Sequence, residues 1–169
     1  MASPSRQRVT ESRPTGQEDV LLLEEFLPFR LVVLASSVGQ GFTRLYTQRF
    51  GVGLPEWRVI AMLGQHGTLT SKAVGERTFM HKTMVSRAVS DLERDDLVVR
   101  EPNRADKREV FLSLSEKGQR VYAEIVPLAR EYATRLTADL TKEDLAALDR
   151  IVAILHERSG EVFSAERRE

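Results

Sequence analysis

Apolar residues recur along most of this chain at intervals of three and four, and in two short stretches the period falls to two. Leu31, Leu34, Val38, Phe42, Leu45 and Tyr46 form a stripe that predicts a long amphipathic helix from Phe26 to Phe50, ending near Gly51. Pro55 suits the first turn of a second helix, whose Trp57, Ile60, Ala61 and Gly64 stop at His66 and Gly67. Thr70 is placed to cap a brief third helix reaching Phe79. The next stretch, HKTMVSRAVSDLERDDL, is two-faced. At helical spacing Val85, Ala88, Val89 and Leu92 share one side, and Lys82, Thr83, Ser86, Arg87 and Ser90 share the other.

The two period-two runs follow at once. LVVREP and REVFLSL are rich in β-branched and aromatic residues and flank the polar segment NRADK, which predicts a hairpin. Two short helices with a tight connection, followed directly by a hairpin, make a winged helix-turn-helix. Two further helices are expected near residues 116–138 and 142–159, the first interrupted by Pro127, which should bend it. Thr141 and Asp144 have the spacing of a capping box between them. The fold class is therefore mainly α with a small β-hairpin wing. The long first helix and the last two carry more apolar stripe than a small winged core can cover, which points to a second copy of the chain.

Composition narrows the partner. Lys plus Arg number 25 and Asp plus Glu number 25 in 169 residues, so bulk basicity is absent and any nucleic-acid site must arise from local sorting of charge. That sorting is visible twice. The outer face of 81–97 holds hydroxyls and cations with no carboxylate before Asp91, and the hairpin tip sets Arg104, Lys107 and Arg108 against Asp106 alone. A surface on which cations and hydroxyls outnumber carboxylates suits phosphate. The absence of cysteine removes disulfides, thiolate metal sites and thiol redox sensing, and fits a reducing cytoplasm. Residues 1–19 are polar and rich in Ser, Pro and Arg, and no segment approaches the roughly 20 apolar residues of a membrane span, so no membrane partner is expected.

An enzyme is the main rival class. His66, His81 and His156 are scattered, and there is no HExxH, nucleophile elbow or phosphate-binding glycine loop, so no catalytic residue, metal or cofactor is expected. His81 lies beside the polar face and is counted with it.

DKREVFLSLSEKG and VSRAVSDLERDDLVVR, together with the order of elements over about residues 26–159, resemble the MarR family of winged-helix transcriptional regulators. The resemblance implies a flexible arm over 1–25, a MarR-type domain over 26–159 and a tail over 160–169. Within that domain, 54–115 would be the DNA-binding winged helix, and 26–50 and 116–159 the dimerisation helices. It implies a homodimeric repressor on a palindromic double-stranded operator, with recognition helices about 34 Å apart. His81, Lys82, Thr83, Ser86 and Arg87 would face bases and phosphates, Thr70 and Ser71 would meet a phosphate, and Arg104, Lys107 and Arg108 would reach from the wing, with Asp106 orienting Arg108. A small-molecule effector, an aromatic acid or acyl-CoA type thioester, would sit near Ser37, Gly41, Arg44 and Trp57. One departure stands out: the family commonly has Gly where this chain has Asp96, a position that demands a left-handed turn.

Overall fold

The computed structural model describes residues 20–102 and 110–166. Their elements are α1 (Leu27–Phe50), α2 (Leu54–His66), β1 (Leu69–Thr70), α3 (Ser71–Thr78), α4 (Lys82–Arg94), β2 (Val98–Pro102), β3 (Val110–Leu114), α5 (Glu116–Leu136) and α6 (Lys142–Glu166). The chain divides into two compact units at Gln40, inside α1. In the first unit several apolar side chains of α1 are exposed, Val32 at 65%, Leu34 at 58% and Val33 at 49%.

The second unit holds the core. Val59, Ile60 and Leu63 of α2, Val74 of α3, and Val85, Ala88, Val89 and Leu92 of α4 are buried together, with Leu97, Val98 and Leu112 closing the cluster from the strands. Fully burying one such aliphatic side chain is worth about 1.5 to 3 kcal/mol. This interlock therefore fixes the orientation of α4, with its four buried residues down and its polar residues out. Ile125 of α5 enters the same core. Above it Trp57 stacks on Tyr122 at 6.2 Å and lies 5.8 Å from both Phe42 and Tyr46, an aromatic layer joining the end of α1 to α2 and α5. Burial raises the Tyr46 pKa, against the smaller effect of its contact with the Thr43 hydroxyl.

The sheet has three antiparallel strands in the order β1-β3-β2. The expected hairpin is present, with Val98 opposite Leu114 and Arg100 opposite Leu112. The third strand was not foreseen: β1 is two residues long, Leu69 opposite Leu112 and Thr70 opposite Phe111. α5 runs through Pro127 as a continuous helix. α6 continues to Glu166, past the expected end near residue 159. Leu148, Ile151, Val152 and Ile154 on it are about half exposed. Among the described residues no helix is long and apolar enough to cross a membrane.

Candidate nucleic-acid interface

The helix-turn-helix is built from two caps and one strained turn. Thr70 accepts the Ala73 amide at 3.1 Å, as its spacing suggests, and starts α3. α3 ends at Phe79, which takes φ +54°, a left-handed conformation that costs a bulky residue energy and belongs more naturally to Gly or Asn. The Phe79 ring is 79% exposed and meets His156 of α6 edge-on at 5.3 Å. Two residues later His81 caps α4, its Nδ1 accepting the Thr83 amide at 3.4 Å.

The outer face of α4 is exposed at His81, Lys82, Thr83, Ser86 and Arg87. Among the described residues neither Lys82 nor Arg87 is paired with a carboxylate, whereas Arg94, one helix end away, is held by Asp91 at 2.8 Å and Asp95 at 3.8 Å. Cations at the start of α4 are available, and those at its end are neutralised. A groove of about 480 Å³ runs beside this face between α3, α4 and β2, lined by Met80 and Val85 and by the charged Lys72, Glu76, Lys82 and Arg100. Ser71, exposed at the start of α3, borders the same groove.

Arg100 escaped the sequence reading. Its Nε lies 2.7 Å from Glu93 and its Nη2 donates to the Ser90 hydroxyl at 3.5 Å, tying the base of the wing to α4. Nothing in the spacing of Glu93 and Arg100 marks them as partners, because the pair exists only once β2 folds back on α4. Arg104, Asp106, Lys107 and Arg108 lie outside the described residues.

The turn from α4 into β2 explains the departure at Asp96. Asp96 has φ +57°. The Leu97 amide returns to the Leu92 carbonyl at 2.8 Å and the Asp96 amide to Glu93 at 3.0 Å, the paired bonds of a Schellman ending with Asp in the place that usually favours Gly. The start of α5 grips this turn. Ser115 donates to the Asp96 carbonyl, and Lys117 to that of Asp95 at 2.7 Å.

The residues expected near an effector fall on α1 and α2. Ser37 lies in the first unit, and Gly41, Arg44 and Trp57 in the second. Trp57 belongs to the aromatic layer, and Gly41 faces the Tyr132 hydroxyl so closely that a Cβ there would lie 2.5 Å from it. The nearby cavity, about 360 Å³, opens instead between Leu45, Leu128, Glu131, Tyr132, Arg135 and Leu136. Among the described residues no cluster of His, Asp and Glu could hold a metal ion.

A helix-turn-helix with an outward cationic face, continued by a strand hairpin, now meets its counterpart in known proteins: the MarR family model matches residues 50–109. Those residues are a MarR-family domain. The MdtR transcriptional repressor of Bacillus subtilis is 28% identical over 108 residues, covering 64% of this chain and 70% of MdtR. A MarR-family transcriptional regulator from Listeria monocytogenes, solved in complex with 26mer DNA, has a TM-score of 0.72 at 16% identity, covering 79% of this chain and 88% of that one. NadR, solved in complex with 4-hydroxyphenylacetate, has a TM-score of 0.66 at 24% identity, covering 85% of this chain and 97% of NadR. At these identities the two structures speak for the fold. The matched residues take in α2, α3, α4 and β2, in which α3 and α4 form the helix-turn-helix and β2 begins the strand hairpin that follows it.

Proposed function

We propose that the chain is a DNA-binding transcriptional regulator, acting as a homodimeric repressor that a small aromatic acid releases from a palindromic operator. The observation that carries DNA binding is the outward face of α4, where Lys82 and Arg87 stand beside Thr83 and Ser86 with no carboxylate answering them among the described residues. Such a face has five or more hydrogen-bond donors and little to repel a phosphate. Arg87, with its planar fork, is assigned the bidentate contact to guanine or phosphate. His81, Lys82, Thr83 and Ser86 complete the contact from α4, and Thr70 and Ser71 meet a flanking phosphate. Arg104, Lys107 and Arg108 reach from the wing, with Asp106 orienting Arg108. The Listeria neighbour bound to DNA supports this use of the fold, and MdtR supports repression.

Dimerisation is supported by apolar surface with no cover. The half-exposed side chains of the first part of α1 and of α6 form patches that a lone chain would leave in water. Two copies related by a twofold axis bury both and set two α4 helices into successive major grooves, about 34 Å apart.

The effector reading rests on the cavity between the end of α1 and α5, where Arg135 supplies a cation and Tyr132 a phenol beside leucines. A volume near 360 Å³ is at the small end for ligand sites, which favours a single-ring acid over a thioester of coenzyme A. NadR with 4-hydroxyphenylacetate is a neighbour of that kind. Gly41 admits the Tyr132 ring to this wall, Arg44 stands one residue before Leu45, and Trp57 and Ser37 are assigned supporting positions. To weaken DNA binding about 100-fold the acid need favour the released dimer by only about 2.7 kcal/mol. Light scattering of the purified chain and selection from a randomised duplex pool test the reading: a dimer that enriches an inverted repeat supports it, and a monomer that enriches nothing refutes it.

A further inference from the structure

We infer that Phe79 and His156 form a latch between α6 and the start of α4, so that a change in the placement of α6 reaches the outward-facing helix. Its consequence for DNA binding rests on the regulator reading above; the latch itself does not.

The inference starts from a backbone held where its side chain does not favour it. Phe79 has φ +54°, in the left-handed region that Gly and Asn enter at little cost and a bulky residue does not. Burial of the ring does not offset that cost, because the ring is 79% exposed. Such a conformation persists where its surroundings fix it. From within α3 it is fixed by backbone bonds, since the amides of Phe79 and Met80 both return to the Gly75 carbonyl. From outside, the Phe79 ring meets His156 of α6 at 5.3 Å with the planes 89° apart, the edge-to-face arrangement that aromatic pairs favour.

This contact gives α4 a second anchor. The end of α4 is already gripped by the start of α5, where Ser115 and Lys117 donate to the carbonyls of Asp96 and Asp95. The start of α4 follows Phe79 directly: Met80 is buried in the core, and the His81 carbonyl takes the amides of Met84 and Val85 at 2.8 and 3.1 Å. A helix anchored at one end can pivot, whereas a helix anchored at both ends moves with its anchors. Here both anchors belong to consecutive helices, α5 and α6. Among the described residues of α6 none is buried, so the core does not fix its placement. What covers Leu148, Ile151, Val152 and Ile154 decides that placement, and Val152 stands one helical turn before His156. The latch passes it on to the first turn of α4 through contiguous contacts.

Hydrogen exchange of the full chain tests the latch without DNA. His156→Ala changes one exposed position of α6 to a strong helix former, so the fold is retained. The Met84 and Val85 amides, on a different helix, should lose protection by roughly 2- to 10-fold, the range of one aromatic pair. Phe79→Asn, which accepts the left-handed turn and lacks the ring, should do the same. Unchanged protection in His156→Ala overturns the inference and leaves the regulator reading intact. Titration against a duplex selected by the parent supplies the second arm. Each single variant should weaken binding by a similar factor, and the double variant by no more than either alone. Effects that multiply in the double variant overturn the inference. If the parent selects no duplex while the two amides respond to His156→Ala, the regulator reading falls and the latch stands.

Discussion

The hydroxyl of Ser115 donates to the backbone carbonyl of Asp96 at 2.6 Å while accepting the amide of Gly118 at 3.0 Å. One side chain thus caps α5 and holds the turn that ends α4, so the end of α4 and the start of α5 share an anchor. Ser115→Ala removes both bonds. The expected loss is about 1 to 2 kcal/mol of folding stability, read from chemical denaturation.

Asp96 supports the opposite experiment. Its φ of +57° is one that glycine adopts freely and aspartate less so. Asp96→Gly should relieve the turn and raise stability by about 0.5 kcal/mol, after the greater freedom that glycine gives the unfolded chain is set against the gain. Asp96→Val, β-branched and unsuited to that region, should lower stability by more than 1 kcal/mol, on the order expected for local backbone strain. Thermal melts of the three proteins rank them.

Two glycines in helices should respond with opposite signs. A Cβ on Gly118 would lie 2.0 Å from the Leu97 carbonyl oxygen, a backbone atom that cannot step aside without moving the turn. Gly118→Ala should cost at least about 2 kcal/mol. Gly160 in α6 has nothing within 4 Å of the same built atom. There alanine should gain about 0.5 to 1 kcal/mol from helix propensity. Denaturant midpoints measure both.

The start of α6 should depend on pH. The Asp144 carboxylate accepts the Thr141 amide at 2.9 Å and its hydroxyl at 2.8 Å, and the amide bond, then the hydroxyl bond, hold its pKa below the ordinary carboxyl value. A lowered folded pKa means that this cap is fully present above the unfolded carboxyl value and is lost as pH falls through the folded one. The protection of amides in the first turn of α6, measured against unfolded-chain exchange at the same pH, should therefore fall as the solution is acidified through that range. Asp144→Asn should remove the dependence.

Several of these features were legible in the sequence and others were not. The two faces of α4, the Thr70 cap and the Thr141 and Asp144 box are local: each is defined by spacings of three and four within one helix turn, and each is present. β1 was invisible because two residues cannot show alternation; it exists only through its pairing with Leu112 and Phe111. The left-handed Phe79 was hidden for a related reason, since a bulky aromatic is the residue least expected there. Arg100 with Glu93, and Lys117 with the Asp95 carbonyl, are bonds between elements, fixed by how the hairpin and α5 return to α4. Beyond residue 159 the apolar spacing gives way to Ser159 and Gly160, yet α6 continues.

Charge pairing along α4 separates two arginines of the same helix. Arg87→Ala should cost about 1 to 3 kcal/mol of specific duplex binding. Arg94→Ala, whose guanidinium already faces Asp91 and Asp95, should leave it essentially unchanged. Titration of each variant against the same duplex at fixed salt makes the comparison.

The most direct measurement is the affinity of the full chain for a selected duplex across a series of salt concentrations. Cations of the α4 face lying on phosphates release counterions, so log affinity should fall steeply and linearly with log salt, and neutralising Lys82 should make the slope shallower by about one. A slope near zero, or one that Lys82→Gln leaves untouched, would contradict the placement of that face on DNA.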